Sequence, residues 1–253
     1  MTDHRDADGP AAFPAGLPAG LCCPDCKGPL GWAGQRGRCL DCNREVALWG
    51  GAIPDFLGDG DPAAGAILGW PDEFADAFEP PLLALLARRP VTPSACAELA
   101  ERGLADLAGG LTPLGEKLAY HLTEYRRQEG GDRIDNFLGA DTPGPGSEVL
   151  DVGCGAGQTL RLLATRDPAG RVGLDTDLEA LMLGRRLAGS PGRAPDLVRA
   201  TAQAIPFCDG RFTHVLCRVA LNYMHQGRAV GEMTRVLRPG GSLYCRVEGR
   251  GST

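Results

Sequence analysis

A chain of 253 residues with 43% hydrophobic content has room for one domain of ordinary size and a small appendage, with enough apolar mass to bury a core. Its first twenty residues, rich in Ala, Gly, Pro and Asp, show no basic start followed by an apolar run, and no long apolar stretch occurs anywhere. This argues against secretion and membrane spanning and for a soluble cytoplasmic protein. The net charge is −6, and only residues 147–253 lean basic, through arginines that are spread rather than packed into a dense patch, so a small molecule is favoured over nucleic acid as the partner.

Residues 1–19 read as a disordered tail. Residues 20–60 form a module around Cys23-Pro24-Asp25-Cys26 and, twelve residues later, Cys39-Leu40-Asp41-Cys42. Each C-x-x-C turn lets two sulfurs of one short loop reach the same ion, and four thiolates surround Zn²⁺ tetrahedrally. Cys23, Cys26, Cys39 and Cys42 are therefore the predicted metal ligands, with zinc in a structural role because no open position is left for a reacting group. Cys22 reads as a spare thiol, with a C-x-x-x-C use of it as the alternative. Cys96, Cys154, Cys208, Cys217 and Cys245 stand singly among apolar neighbours, the pattern of a reducing compartment.

The stretches Cys23-Pro24-Asp25-Cys26-Lys27-Gly28-Pro29-Leu30 and Gly51-Ala52-Ile53-Pro54-Asp55-Phe56-Leu57 resemble the small zinc-binding proteins that act as activator subunits of RNA and protein methyltransferases. The chain departs from them at Val46-Ala47-Leu48, where that family has Tyr-Pro-Ile. The cysteine-rich start is also similar to that of bacterial rRNA guanine-N1 methyltransferases, so this resemblance admits an RNA acceptor.

Residues 61–146 alternate apolar and polar side chains at helical spacing. Pro80-Pro81 precedes Leu82-Leu83-Ala84-Leu85-Leu86, Thr92-Pro93-Ser94 offers a cap with proline in the first turn, and Leu111-Thr112-Pro113-Leu114-Gly115-Glu116 opens a helix through Tyr125 after a turn at Gly109-Gly110. The run from Glu101-Arg102-Gly103-Leu104 to Gly115 resembles part of the winged-helix module that small-molecule O-methyltransferases carry before their catalytic domain. The other reading is a helical lid, with Tyr120, His121 and Tyr125 closing over a site. Gly139 to Gly146 then makes a linker.

Residues 147–253 repeat strand and helix: strands at Glu148–Val152, Arg171–Leu174, Asp196–Arg199, Thr213–Cys217 and Ser242–Val247, and helices at Gln158–Ala164, Leu178–Leu187 and Arg228–Leu237. Such alternation predicts an α/β fold with a parallel sheet, whose ligand lies beyond the C-terminal strand ends. Val149-Leu150-Asp151-Val152-Gly153-Cys154-Gly155-Ala156-Gly157 describes a strand stopping at that ligand. Alternate glycines let the backbone turn and approach a bound molecule closely. The nicotinamide pattern G-x-G-x-x-G would need Gly or Ala at 158, where this chain has Gln158; G-x-G-x-G points instead to S-adenosylmethionine.

In its ordered motifs this segment resembles the class I S-adenosylmethionine-dependent methyltransferases grouped with the ubiquinone and menaquinone C-methyltransferases. The resemblance implies a Rossmann-like sheet and a cofactor site made by Asp151, Gly153, Cys154, Gly155 and Gly157 at the first strand, with Asp175 and Thr176 at the second, where Asp175 accepts the ribose hydroxyls and Asp177 caps the next helix. It also implies Thr201, Ala202 and Gln203 around the adenine, in the segment Ala202-Gln203-Ala204-Ile205-Pro206-Phe207, and Arg218 at the fourth strand. Thr201 stands where the family often has Asp. Glu232 to Gly241 matches the family's helix-to-strand turn. Asn222, Tyr223 and His225 follow the fourth strand, where the family places acceptor-facing residues, and are the catalytic candidates; the Asn/Asp-Pro-Pro-Tyr signature of exocyclic base methylation is absent.

The family continues after its fifth strand with a helix and a two-stranded hairpin, and this chain stops a few residues past Val247. The sheet is therefore expected to be truncated after strand five, with that edge met by a second copy, a partner protein or the helical segment. Three functions follow in order: methyl transfer to a small molecule, to RNA, or binding without turnover.

Overall fold

The computed structural model describes residues 16–58, 84–86, 93–106, 108, 110–127, 138–139, 141–188 and 194–247. Most of the expected tail, Leu82-Leu83 and Gly109 lie outside the described residues, as does the side chain of Tyr125. The elements in chain order are β1 (Leu30–Ala33), β2 (Arg36–Cys39), β3 (Glu45–Trp49), β4 (Ile53–Asp55), α1 (Pro93–Glu101), α2 (Pro113–Arg127), β5 (Glu148–Val152), α3 (Gln158–Leu163), β6 (Gly170–Asp175), α4 (Leu178–Leu187), β7 (Asp196–Arg199), β8 (Phe212–Arg218), α5 (Gln226–Val236) and β9 (Leu237–Arg246).

β5 places Val149, Leu150 and Val152 around the buried Asp151 and is buried along nearly its whole length, as a central parallel strand must be when helices cover both faces. Its neighbours are β6 and β8, both parallel to it. α4 starts where predicted because Asp177 caps it, its carboxylate accepting from the Ala180 N–H at 3.2 Å, and Arg185 and Arg186 complement the dipole in its last turn. β9 begins at Leu237 rather than Ser242, since Leu237 already pairs with Phe212 across a register shift before Ser242 pairs with His214.

The sheet has nine strands in the order β1-β2-β3-β4-β7-β6-β5-β8-β9. In the parallel half, from β7 to β9, the strand order reverses between β5 and β8. The cysteine module adds four strands to the same sheet: β1 to β4 form an antiparallel meander, and β4 joins β7 in parallel at Asp55 and Arg199. A second seam forms at Leu21 and Phe207, where Cys22 N–H donates to Pro206 O (3.0 Å) and Cys208 N–H to Gly20 O (3.1 Å). Leu17, which the sequence places in the tail, is buried here.

One apolar cluster fills both halves. Trp32, Val46, Leu48 and Phe56 of the module pack with Leu150, Ile205, Phe207 and Met233 of the parallel half, and Phe207 meets Phe212 edge to face at 5.0 Å between centroids. Helices α1 and α2 rest on the other side of the sheet, where Leu99, Leu104, Leu118 and Leu122 join Ala156 and Leu183. Lys117 of α2 pairs with Asp177 and Glu179 at 3.1 Å each. The helical segment thus lies against the first turn of α4. β9 is the sheet edge, paired with no strand on its outer side among the described residues; the linker residue Asp141 accepts there from Tyr244 Oη at 2.8 Å.

Because one cluster spans both halves, the described fold is expected to melt as one unit. A scanning calorimetry trace should show a single transition with equal calorimetric and van't Hoff enthalpies, and Phe207→Ala, which empties the seam, should lower stability by about 3–5 kcal/mol while leaving one transition.

Candidate functional site

The glycine loop sits at the point where strand order reverses, outside the C-terminal ends of β5 and β8, which is where open α/β sheets bind ligands. Gly153 takes φ 76°, and a Cβ there would collide with Ala220 Cβ across the switch point. The turn carrying Ala220 follows Val219, whose φ of 69° is an outlier for a β-branched residue, holding on the order of 1–3 kcal/mol of strain. Its N–H donates to Arg246 O at 2.8 Å. The turn after β8 is thus pressed against the glycine loop.

Asp175 stands at the end of β6 facing that loop. Its Oδ2 accepts the Gly155 N–H at 2.8 Å and its Oδ1 the Asp177 N–H at 2.9 Å. Each oxygen keeps a second lone pair. Burial pushes this carboxyl up, while the amide donors hold it back. Asp151, 2% exposed, is pushed by burial up to about 7, against the charge of Arg218 and a hydrogen bond from Thr159.

The other predicted cofactor residues divide. Cys154 turns its sulfur inward, among Trp49, Ile53, Leu178 and Leu181, so only its backbone borders the loop, with its N–H on Leu174 O at 3.1 Å. Gly157 closes the loop as the residue before α3. Thr176 is exposed and its carbonyl accepts from Arg199 Nε at 3.1 Å. Thr201 and Gln203, after β7, are bonded to each other through their side chains, and the Gln203 N–H donates to Thr201 Oγ1 at 3.3 Å; Ala202 between them is buried.

Of the catalytic candidates, Asn222 and Tyr223 lie on the exposed turn Ala220–Tyr223, with Tyr223 86% exposed. His225 is exposed too, and its Nδ1 accepts the Arg228 N–H at 3.3 Å as the cap of α5. His121 is placed differently: a Cβ on Gly155 would lie 3.3 Å from its ring. Burial takes the His121 pKa below its ordinary value, against the pull of Asp177 and Asp175, so the ring is neutral at pH 7. His121 Nδ1 and Gln158 Oε1 are buried without a hydrogen-bond partner. Two orphaned polar atoms beside a glycine loop fit a ligand with an amino-acid end. Lys117, Arg199 and Asp55 escaped the sequence reading; an arginine closing an apolar strand was the signal for Arg199.

The four predicted metal ligands do converge. Each knuckle closes on a left-handed residue just after its second cysteine, Lys27 (φ 61°) and Asn43 (φ 62°), with Lys27 N–H on Cys23 O and Asn43 N–H on Cys39 O at 2.9 and 3.0 Å. Sulfurs on tetrahedral zinc stand about 3.8 Å apart. Here Cys23 and Cys42 are 3.6 Å apart, Cys26 and Cys39 3.4 Å, and all four sulfurs lie within 4.8 Å of one another. Burial opposes ionisation of Cys39, but amides of Cys42 and Asp41 and the neighbouring thiols outweigh it and bring the thiol to about 7. The donor set fits a thiolate-bound divalent ion.

A parallel sheet whose strand order reverses at a glycine turn, with a carboxylate at the end of the adjoining strand, defines a Rossmann-like domain. Residues 150–245 match the family described as "Methyltransferase domain". The chain is 41% identical over 103 residues to the ubiquinone/menaquinone biosynthesis C-methyltransferase UbiE of Bordetella avium, covering 39% of this chain and 40% of the relative. The phthiotriol/phenolphthiotriol dimycocerosates methyltransferase 1 of Mycobacterium ulcerans is 41% identical over 100 residues, covering 39% and 36%. The demethylmenaquinone methyltransferase of Bacillus cytotoxicus is 37% identical over 108 residues, covering 40% and 44%. The chain thus spans well under half the length of these relatives. Among solved structures, a complex containing the Haloferax volcanii Trm112 methyltransferase activator aligns with TM-score 0.42 and 27% identity over 51% of this chain and 57% of that one. No helix of the described residues is long and apolar enough to cross a membrane.

Metal content tests the cysteine centre. Chain purified with zinc should carry one ion by elemental analysis, Cys26→Ser with Cys42→Ser should carry none, and the melting temperature should fall with the metal.

Proposed function

We propose that this protein transfers the methyl group of S-adenosylmethionine to a small-molecule acceptor. The observation that carries the reading is the Asp175 carboxylate, held by the Gly155 and Asp177 amides at the glycine loop and placed to accept a pair of ribose hydroxyls. The glycine-loop amides, Asp151 and Gln158 would receive the amino-acid end, and the Thr201–Gln203 turn would border the adenine. The turn from Val219 to Tyr223 would face the acceptor, with His121 and Tyr120 of α2 excluding water.

When bound, the cofactor supplies a sulfonium carbon that is already electrophilic. What remains for the protein is alignment, which can supply roughly 7–11 kcal/mol, and a neutral His121 costs the sulfonium no like-charge repulsion. None of Asn222, Tyr223 and His225 is required as a base by this geometry; they remain the nearest named residues on the acceptor side.

A small acceptor is favoured over RNA because the basic side chains of the described cysteine module face carboxylates: Lys27 meets Glu232 (3.3 Å), Arg36 and Arg38 meet Glu45 (3.9 and 3.4 Å), and Arg44 meets Asp25. Arginines already engaged with carboxylates make a weaker phosphate-binding surface than free ones. The relatives named for quinone and phthiotriol substrates support the same reading. The module serves here as a structural partner of the catalytic domain, in the cytoplasm.

Calorimetric titration of the zinc-loaded chain with S-adenosylhomocysteine should give one micromolar site, lost in Asp175→Ala. No binding to the zinc-loaded wild type would overturn the proposal, and tight RNA binding that collapses with salt would overturn its small-molecule half.

Asp151 gives the pH dependence. Its folded value of about 7 exceeds the ordinary 3.8, so between these values the folded chain holds the proton more tightly and stability from this group falls as pH rises. A ligand ammonium favours the carboxylate and reverses that preference. Affinity for S-adenosylhomocysteine should therefore rise from pH 6 to pH 8 with proton release near pH 7, seen as a dependence of binding heat on buffer ionisation enthalpy, and Asp151→Asn should abolish both.

A further inference from the structure

Arg199 closes β7 and is only 7% exposed. Its Nη1 donates to Asp55 Oδ2 at 2.8 Å. Asp55, 1% exposed, is itself fixed by two further donors, Trp49 Nε1 on Oδ2 and the Leu57 N–H on Oδ1, both at 2.9 Å. On its other side Arg199 sends Nε to the Thr176 carbonyl at 3.1 Å. Thr176 is the residue between Asp175 and Asp177. The backbone repeats the link: Phe56 N–H donates to Arg199 O at 2.8 Å and Ala200 N–H to Asp175 O at 3.0 Å.

A guanidinium whose separate donors reach two elements in one fixed plane transmits position, which a point charge such as lysine does not. An ion pair serving only to join the module to the sheet would leave Nε without a reason to face the Thr176–Asp177 peptide. Buried ion pairs contribute little net stability against apolar replacements, so what this one supplies is geometry.

Resting on the cofactor reading above, we infer that Arg199 is a positioning residue for the ribose: held by Asp55 of the cysteine module, it fixes the peptide at Thr176 and so aims the Asp175 carboxylate. The module thereby contributes a side chain's worth of order to the cofactor site without touching the ligand. Disturbing the link loosens recognition of the two hydroxyls and spares contacts to the adenine and the amino-acid end.

Arg199→Ala would strand Asp55 in the core and unfold the chain, so two gentler changes test the idea. Arg199→Lys keeps a cation for Asp55 and removes the fork to Thr176; Asp55→Asn with Arg199→Gln removes both charges together. The ligands are S-adenosylhomocysteine and its 2′,3′-dideoxy analogue, titrated into zinc-loaded full chain whose single melting transition is checked first. Wild type should prefer the hydroxylated ligand. In whichever variants fold, its affinity should drop about tenfold, the worth of one charge-assisted hydrogen bond, while the dideoxy analogue stays within about twofold, so the preference collapses. A folded variant that keeps the wild-type preference, even with both affinities uniformly lower, overturns the inference alone. Wild type that binds both ligands equally overturns the ribose role of Asp175 together with it, and wild type that binds neither overturns the cofactor reading on which it rests.

Discussion

The parallel pairing of β4 with β7, with Asp55 and Arg199 buried across it, ties two chemically different parts of the chain into one sheet. A module of some forty residues organised by four cysteines has too little apolar surface to hold a fold by itself. Here it spends that surface on the seam, where Trp32, Val46, Leu48 and Phe56 share a core with Ile205 and Phe207. The parallel half gains in turn, because β7 would otherwise be an edge strand with unpaired backbone groups. On the far side of the same seam Trp49 and Ile53 pack with Cys154 and Leu178, which puts the module's side chains directly beneath the glycine loop.

That loop is a second constraint, set by closeness. Gly153 has no room for a side chain because Ala220 occupies it, and Ala220 is driven there by a valine held in a left-handed conformation. Packed cores do not deform continuously, so strain at Val219 can persist only because the surrounding strands, including the Arg246 carbonyl on its N–H, determine it fully. The helical segment adds a third wall. Its His121 is half-buried over Gly155 and lacks a partner for Nδ1, while Lys117 fastens the helix to the acidic start of α4. Burial lowers the pKa of the imidazole above the loop and raises those of the Asp151 and Asp175 carboxyls below it, so all three favour their neutral forms.

Much of the parallel half was legible in the sequence. Glu148–Val152, Leu178–Leu187 and Asp196–Arg199 occur within those bounds, since each is written in local terms: an apolar run closed by glycine, a capped amphipathic helix, a short strand before a polar turn. The cysteine cluster was legible from spacing alone. The start of β9 was not, because Pro239-Gly240-Gly241 reads as a break, and only the pairing of Leu237 with Phe212 carries the strand through it. His225 was legible as a histidine near the site but not as a helix cap, a role that depends on where α5 begins.

What the chain determined by itself, then, is everything whose cause lies within a few residues: the periodicities, the knuckles that bring two thiols to one point, the glycines that let a strand end at a ligand, and Asp175 at the next strand end. Tertiary structure alone decided which distant residues serve those features. Asp55 lies 144 residues from Arg199, and His121 comes from a different segment than the loop it covers. A buried ion pair or an imidazole over a glycine leaves no periodic signal, because its partners are chosen by how sheets and helices stack, and that choice is made by the burial of apolar surface shared across the whole fold.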